Sequence, residues 1–239
     1  MPLLYVIRHG QASFGESDYD ELSKIGIKQA QILGKFFKQT KTTFDSIFSG
    51  SLERQVDTAV HTLEGMGEKG KKVEINKGFN EYSHTDLINA SLDYYRQKEP
   101  EKSYDLVELS KDKKKFQVFF SRLVEDWISG EFSGYGVEAY ETYSHRVLKA
   151  FEEVSDLKER KGKIAVFTSG GAISALLENT LQVHPFKAAK IGWGIKNCSI
   201  SIVSSKGRFN RNSNRFLLRS FNCSAHFELE NDKDLITYR

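Results

Sequence analysis

Residues 3–10 read LLYVIRHG, in which five apolar residues end abruptly at a charged pair and a glycine. A short apolar run bounded in this way is typical of a parallel strand that is buried on both faces. In an open α/β sheet, ligands bind beside the carboxyl ends of the strands. The sequence therefore predicts that Arg8 and His9 lie at the ligand-binding edge of a sheet.

Outward from this strand, the chain alternates between strand-like runs and segments of helical periodicity, the first of which has Ser23 as its expected N-cap. The predicted strands are residues 3–7, 44–48, 73–75, 163–168, 198–204 and 215–221, and the predicted helices are residues 24–38, 52–63, 137–157 and 172–182. Such alternation predicts an α/β fold, a three-layer αβα sandwich around a mostly parallel sheet. The polar turn 207–214 joins the last two strands as a hairpin, so we expect an antiparallel edge strand.

The pattern changes between residues 86 and 133, where no strand is evident and Tyr, Lys and Phe are dense. We interpret about 84–133 as a helical cap insertion over one end of the sheet, within a single domain that spans residues 1–239. Its aromatic residues permit an apolar substrate group, although core packing explains them equally well; they include Tyr94, Tyr95, Phe116 and Trp127. Two basic clusters are interpreted as solvated surface rather than anion sites, namely the run 111–115 and the group Arg208, Arg211, Arg215 and Arg219.

Composition excludes several classes of function. The chain has 239 residues, of which 39% are hydrophobic and 28% charged, as in ordinary globular proteins. A net charge of +3 is too weak to indicate nucleic-acid binding, though it mildly favours an anionic ligand. Two cysteines make no disulfide framework, so the cytoplasm is the expected compartment. We expect no signal peptide, no membrane-spanning segment and no zinc site, and the oligomeric state is left open.

We expect catalytic or ligand-binding residues in three motifs, each of which directly follows a predicted strand. In the first, Arg8 offers a planar fork of donors and His9 a nucleophilic nitrogen, although a satisfied polar strand end is the alternative. In the second, Arg54 enters a helix at its first turn, where a cation is disfavoured unless an anion such as phosphate lies there. An ordinary surface arginine is equally consistent. In the third, residues 168–171 (TSGG) let backbone N–H groups approach an anion, or simply make a tight turn.

Together these motifs resemble the histidine phosphatase (phosphoglycerate-mutase-like) superfamily over nearly the whole chain. The segment 6–11 (VIRHGQ) is similar to the family's Arg-His-Gly signature, and residues 22–30 are similar to the segment that follows it. Residues 49–59 resemble the second arginine motif. Glu81 occupies the position of the family's acid, and residues 141–146 resemble the helix before the last parallel strand.

The resemblance implies a metal-independent phosphatase without a cofactor, acting on a small-molecule or peptide phosphomonoester. His9 would accept the phosphoryl group and become phosphohistidine. Arg8 and Arg54 would hold the non-bridging oxygens, where charge must be stabilised during transfer. Glu81 would protonate the leaving oxygen and then activate the water that cleaves phosphohistidine.

One position departs from the family pattern. The family normally has a second histidine before the glycine of its last motif, and this chain has Ser169 before Gly170. Both residues are expected to contribute to phosphate binding, but a hydroxyl carries no charge. Loss of one such donor costs about 10²–10³-fold in rate, so we expect slow turnover or an unusual substrate. His84 could compensate in part, although a surface histidine is the better interpretation.

Three functions therefore remain at this stage, and the sequence favours the phosphatase. The second is a catalytically weak relative that binds a phospho-ligand or a partner protein, and Ser169 is its main support. The third is a phosphoglycerate mutase, which is disfavoured because such mutases carry a proline-rich insertion. This chain has three prolines, Pro2, Pro100 and Pro185, and they do not cluster.

Overall fold

The computed structural model describes residues 2–13, 20–102, 104–156, 162–206 and 215–238. The strands are β1 (Leu3–Arg8), β2 (Ser46–Ser49), β3 (Glu74–Ile75), β4 (Lys163–Thr168), β5 (Ile200–Ser205) and β6 (Phe216–Cys223). The helices are α1 (Lys24–Gln39), α2 (Glu53–Met66), α3 (His84–Lys98), α4 (Leu106–Lys111), α5 (Lys113–Ile128), α6 (Tyr140–Asp156), α7 (Gly170–Leu181), α8 (Pro185–Gly192) and α9 (Ala225–Glu228). Short 3₁₀ turns cover Lys77–Phe79 and Lys233–Leu235.

Within the described residues, the strands form one mixed sheet of order β3-β2-β4-β1-β5-β6. Strands β3, β2, β4 and β1 are parallel to their neighbours in that series, whereas β5 is antiparallel to both β1 and β6. This confirms the predicted α/β fold with a mostly parallel sheet and an antiparallel edge. The turn 207–214 of the predicted hairpin lies outside the described residues.

The parallel strands end together. Arg8 at the end of β1 pairs with Thr168 at the end of β4, and Ser49 of β2 pairs with Phe167. The residues that follow these three strands therefore emerge along one edge of the sheet. They are the Arg-His, Ser49–Arg54 and Ser-Gly-Gly motifs that the sequence marked for chemistry.

Helix α1 shows how local sequence builds the scaffold under this edge. Ser23 caps it as predicted, with its hydroxyl accepting from the Gly26 N–H at 3.1 Å. One face of the helix buries apolar side chains, among them Leu33 and Phe37, against the sheet residue Ile7. This burial anchors the segment that immediately follows β1.

The chain divides into two compact units, Met1–Glu81 with Arg146–Arg239, and Tyr82–His145. The first contains the sheet with its covering helices. The second is helical and includes α3, α4 and α5, which confirms the helical character predicted for about 84–133. Within it, Tyr95 and Trp127 are buried in its core, and Tyr95 donates to Asp126 at 2.6 Å. Residues 111–115 are exposed, as the interpretation of a solvated helix face requires.

The arginines near the final hairpin have protein partners where the structure describes them. Arg215 pairs with Asp156 on α6, and Arg219 donates to the Ser204 hydroxyl at 3.0 Å. Arg208 and Arg211 lie outside the described residues. In the part of the chain that the structure describes, every helix is too short or too polar to cross a membrane.

Candidate functional site

His9 directly follows β1, and its backbone N–H donates to the Thr168 carbonyl at 2.8 Å. The side chain is buried, with 6% of its surface exposed. Its Nδ1 atom lies 2.7 Å from the Gly10 carbonyl oxygen. Because a carbonyl can only accept, Nδ1 must carry the proton, which leaves a lone pair on Nε2. The geometry therefore selects the tautomer in which Nε2 is nucleophilic.

Arg54 lies in the first turn of α2 and points at this lone pair, with its Nε 3.3 Å from His9 Nε2. Its Nη1 forms an ion pair with Asp20 at 2.5 Å, and the other Asp20 oxygen accepts from the Glu53 N–H at 2.8 Å. The sequence predicted that an anion such as phosphate could lie at this helix N-terminus. In the structure the Asp20 carboxylate lies there. Asp20 carries no sequence signal, since its partners are distant along the chain.

Arg8 projects from the end of β1 toward the start of α7. Its Nη1 donates to the Ile195 carbonyl. A Cβ added to Gly170 would lie 3.7 Å from Arg8 Nε, so the two residues are in van der Waals proximity. The structure thus brings the predicted residues Arg8 and Gly170 together at the sheet edge.

Ser169 is fully buried, and its hydroxyl oxygen accepts from Gln55 Nε2 at 2.7 Å. The same amide nitrogen donates to the Phe79 carbonyl at 3.2 Å, which fixes the amide orientation, since an amide oxygen could not face that carbonyl. The hydroxyl hydrogen of Ser169 must therefore point elsewhere. Gly50 leaves room for Gln55, because a Cβ at this glycine would collide with the amide oxygen.

Sequence reasoning missed Gln55, although it directly follows Arg54. A glutamine in the first turn of a helix is ordinarily solvated, and here it is fully buried. Its position next to a predicted phosphate ligand was the available signal.

Glu81 is held by the N-terminus of α7, where the Gly171 N–H donates to its carboxylate at 2.8 Å. The sequence left open whether backbone N–H groups of this turn bind an anion, and in the structure the Gly171 N–H contacts the Glu81 carboxylate. Arg146 supports the preceding loop by donating to the carbonyls of Asn80 at 2.9 Å and Gly78 at 3.3 Å. His84 belongs to the second unit, where it is half-buried against Tyr82 and Phe120.

Two glycines explain the close passage of α1 beneath the His9 loop. A Cβ on Gly10 would lie 2.7 Å from the Gly26 carbonyl oxygen, and a Cβ on Gly26 would overlap the Gln11 backbone. The loop and the helix therefore touch backbone to backbone. Gly26 belongs to the segment 22–30 that resembles the family pattern, and this backbone contact is a physical reason for a glycine there.

Among the described residues, no group of three or more His, Cys, Asp or Glu side chains is arranged to hold a metal ion. Both cysteines, Cys198 and Cys223, are free thiols. Charged residues near this edge of the sheet include Arg8, Arg54, Asp20 and Glu81.

A family model described as the histidine phosphatase superfamily (branch 1) matches residues 4–215. The chain belongs to the histidine phosphatase superfamily. This confirms the resemblance drawn from the Arg-His-Gly and second arginine motifs.

Curated relatives of this superfamily member include phosphoglycerate mutases. A 2,3-bisphosphoglycerate-dependent phosphoglycerate mutase of Methylorubrum populi is 33% identical over 103 residues, which cover 40% of this chain and 48% of the mutase. The chain thus spans about half the length of the curated relatives it matches.

Solved structures resemble the whole fold. A phosphoglycerate mutase from Bacillus anthracis str. Sterne has a TM-score of 0.66 at 19% identity and covers 96% of both chains. A mycobacterial glucosyl-3-phosphoglycerate phosphatase has a TM-score of 0.65 at 21% identity and covers 93% of this chain and 99% of its own. At these identities, the likeness concerns the fold alone.

Proposed function

We propose that this histidine phosphatase hydrolyses a phosphomonoester through a phosphohistidine intermediate on His9, without a metal cofactor. The observation that carries the proposal is the fixed imidazole. Its Nδ1–H is held by the Gly10 carbonyl, and its Nε2 lone pair lies 3.3 Å from the Arg54 guanidinium. A nucleophile beside a fixed cation suits attack on an anionic phosphoryl group.

In the first step, His9 Nε2 attacks phosphorus while the bond to the ester oxygen breaks. The non-bridging oxygens carry the negative charge in this transfer, and guanidinium groups match them with paired donors. Without substrate, Arg54 Nε–H donates to the His9 Nε2 lone pair. When the substrate binds, the same N–H donates to a phosphate oxygen and leaves the lone pair free to attack. Arg8 lies at the same edge of the sheet and supplies the second guanidinium.

Glu81 is the proposed general acid. It protonates the departing oxygen and then, as a carboxylate, activates the water that releases phosphate from His9. The hydrogen bond from the Gly171 N–H holds this side chain at the start of α7. Such positioning favours proton transfer because it removes the entropic cost of orienting the acid.

Ser169 contributes a hydroxyl donor where the family has a second histidine. Because its oxygen accepts from Gln55, its hydrogen is available to a phosphate oxygen. This replaces a charged donor by a neutral one, and neutral hydrogen bonds are roughly half as strong. We therefore propose slower turnover than that of a site with two histidines.

Two other functions remain candidates. The named mutase relatives support transfer of the phosphoryl group from His9 to a second hydroxyl rather than to water. Ser169 supports a catalytically weak relative that binds a phospho-ligand or a partner protein. For the phosphatase, the substrate class is a small-molecule or peptide phosphomonoester.

A hydrolysis assay with an activated aryl phosphate tests the proposal. We expect turnover by the unmodified chain, no effect of a chelator, and loss of turnover in His9→Ala with phosphate binding retained. Turnover unchanged in His9→Ala would defeat the mechanism, and loss in chelator that zinc or magnesium restores would defeat its metal independence. Phosphoglycerate isomerisation with added bisphosphoglycerate would point to the mutase. Phosphate binding without turnover would point to the weak relative.

A further inference from the structure

In each of the two peptide groups that flank Gly10, both the carbonyl oxygen and the N–H form a hydrogen bond with a side chain. In the first, the His9 carbonyl accepts from Asn197 Nδ2 at 3.0 Å, and the Gly10 N–H donates to the Thr58 hydroxyl at 2.9 Å. In the second, the Gly10 carbonyl accepts from His9 Nδ1, and the Gln11 N–H donates to Gln29 Oε1 at 2.8 Å. A glycine alone would leave this loop free to adopt many conformations.

This anchoring matters because the Gly10 carbonyl determines the tautomer of His9. If its peptide plane rotated, Nδ1 would lose its acceptor and the proton could move to Nε2, which would then lack a lone pair. Gln29 holds the peptide plane of the Gly10 carbonyl through the Gln11 N–H, and Asn197 holds the preceding plane through the His9 carbonyl. Both are fully buried, so water does not compete for these bonds.

The far ends of these two side chains meet on one hydroxyl group, that of Thr237. Its Oγ1 accepts from Gln29 Nε2 at 2.8 Å and donates to Asn197 Oδ1 at 3.0 Å. Its backbone carbonyl also accepts from the Asn197 N–H at 2.9 Å. A hydroxyl can do both because it is at once a donor and an acceptor.

We propose that Thr237 is a positioning residue for His9, acting through Asn197 and Gln29 to fix the peptide groups on either side of Gly10. This inference rests on the proposed function, in which His9 Nε2 is the nucleophile. Outer contacts of this kind orient a reactive imidazole and select its tautomer. A hydroxyl group far along the chain from the nucleophile thus becomes part of the catalytic apparatus.

A purely structural role for Thr237 is the competing explanation. Gln29 Nε2 also donates to the Leu235 carbonyl at 2.8 Å, so these bonds could serve only to fasten the segment 232–237. The two explanations differ in what a missing hydroxyl would change. A fastening role predicts lower stability with an unchanged imidazole, whereas a positioning role predicts an altered imidazole in a folded protein.

Thr237→Val removes the hydroxyl and keeps the shape of the side chain. We expect kcat for an activated aryl phosphate to fall about ten-fold or more, with vanadate affinity changed by less than about two-fold, because the guanidinium groups remain. Thr237→Ser should restore the rate. The control is Thr62→Val, since Thr62 is buried, whereas Thr237 is partly buried, and the Thr62 hydroxyl has no hydrogen-bond partner among the described residues.

A second readout does not require turnover. In protein labelled with ¹⁵N-histidine, the His9 ring should be protonated on Nδ1, and Thr237→Val should shift it toward a mixture of tautomers. If the unmodified chain had no phosphatase activity, the proposed function would be wrong. The ¹⁵N spectrum of the His9 ring would still test whether Thr237 positions His9. A folded Thr237→Val with unchanged kcat and an unchanged His9 spectrum would overturn it. So would a rate loss that Thr237→Ser fails to restore.

Discussion

At the scale of single residues, Ser169 and Gln55 act as a pair. From the sequence, Ser169 is an uncharged hydroxyl donor at the position of the family's second histidine. In the structure Ser169 is fully buried and Gln55 contacts its hydroxyl at 2.7 Å. The amide of Gln55 therefore occupies the volume into which a larger side chain at position 169 would extend.

The pair predicts how the missing histidine can be restored. Ser169→His alone should destabilise the protein by about 1–3 kcal/mol, because the ring meets the Gln55 amide in a packed interior. Its turnover should not improve. The double variant Ser169→His with Gln55→Ala should relieve the overlap, add an imidazole donor and raise turnover about 10²-fold over the unmodified chain.

The measurement is a double-mutant cycle in both the free energy of unfolding and kcat. Residues in direct contact should show strong non-additivity. Gln55→Ala alone is the control for the cavity that the smaller side chain leaves. A double variant no faster than Gln55→Ala would show that position 169 does not face the transferred phosphoryl group.

At the scale of elements, the approach of α1 to the loop after β1 is set by backbone contact. Gly26→Ala should cost about 1–3 kcal/mol of unfolding free energy, because its Cβ would overlap the Gln11 backbone, which cannot move without shifting His9. Gly194→Ala is the matched control, since its Cβ would meet nothing closer than the Ile191 carbonyl at 3.5 Å. It should stay within about 0.5 kcal/mol.

Chemical denaturation of both variants measures these energies, and the aryl phosphatase rate reports on His9. We expect Gly26→Ala to lose activity beyond its fraction unfolded, whereas Gly194→Ala keeps full activity. Equal stabilities for the two variants would contradict the backbone-contact explanation.

Elements whose sequence signal is local were predicted well. Strands β1 and β4 are continuous apolar runs, and α1 combines a cap with helical periodicity, so their bounds agree with the structure to within about two residues. Helix α7 begins at Gly170, two residues before the predicted start. The prediction was late because Gly170 and Gly171 are poor helix formers and were assigned to the preceding turn. Helices α8 and α9 were missed, since eight and four residues are too few for periodicity to register.

The residues of the candidate site also divide into those with a local sequence signal and those without one. Arg8, His9, Arg54 and Ser169 could be named because parallel strands deliver their ends to one edge of the sheet. Asp20 and Thr237 could not, because each acts through a partner distant in the sequence and polar residues of their kind are usually solvated. Gln55 had one signal, its position directly after Arg54.

At the scale of the whole molecule, His226 makes stability depend on pH. Burial lowers the pKa of His226 from 6.5 to about 4, the nearby charge of Lys196 adds to this, and a backbone contact with Cys198 offsets part of it. The unfolded chain therefore binds a proton between pH 6.5 and pH 4 that the folded chain does not bind. We therefore expect the contribution of His226 to stability to be fully present above pH 6.5 and to be lost as the pH falls to about 4, by about 3 kcal/mol.

Denaturation curves at pH 7.5 and pH 4.5 measure the decline. His226→Phe keeps a ring beside Phe36 and Phe227 but cannot titrate, so its loss of stability over this interval should be smaller by about 2–3 kcal/mol. Identical pH dependence in the two proteins would show that His226 is not buried as a neutral ring.

The central claim is that His9 carries the phosphoryl group, and trapping that intermediate tests it most directly. Glu81→Gln should form phosphohistidine from an activated aryl phosphate, whose leaving group needs no acid, and should hydrolyse it slowly. Rapid quenching into alkali followed by peptide mass spectrometry should then locate one phosphate on His9, with none in Glu81→Gln combined with His9→Ala. Continued hydrolysis with phosphate on another residue, or with no phosphoryl-enzyme at any time, would contradict the account.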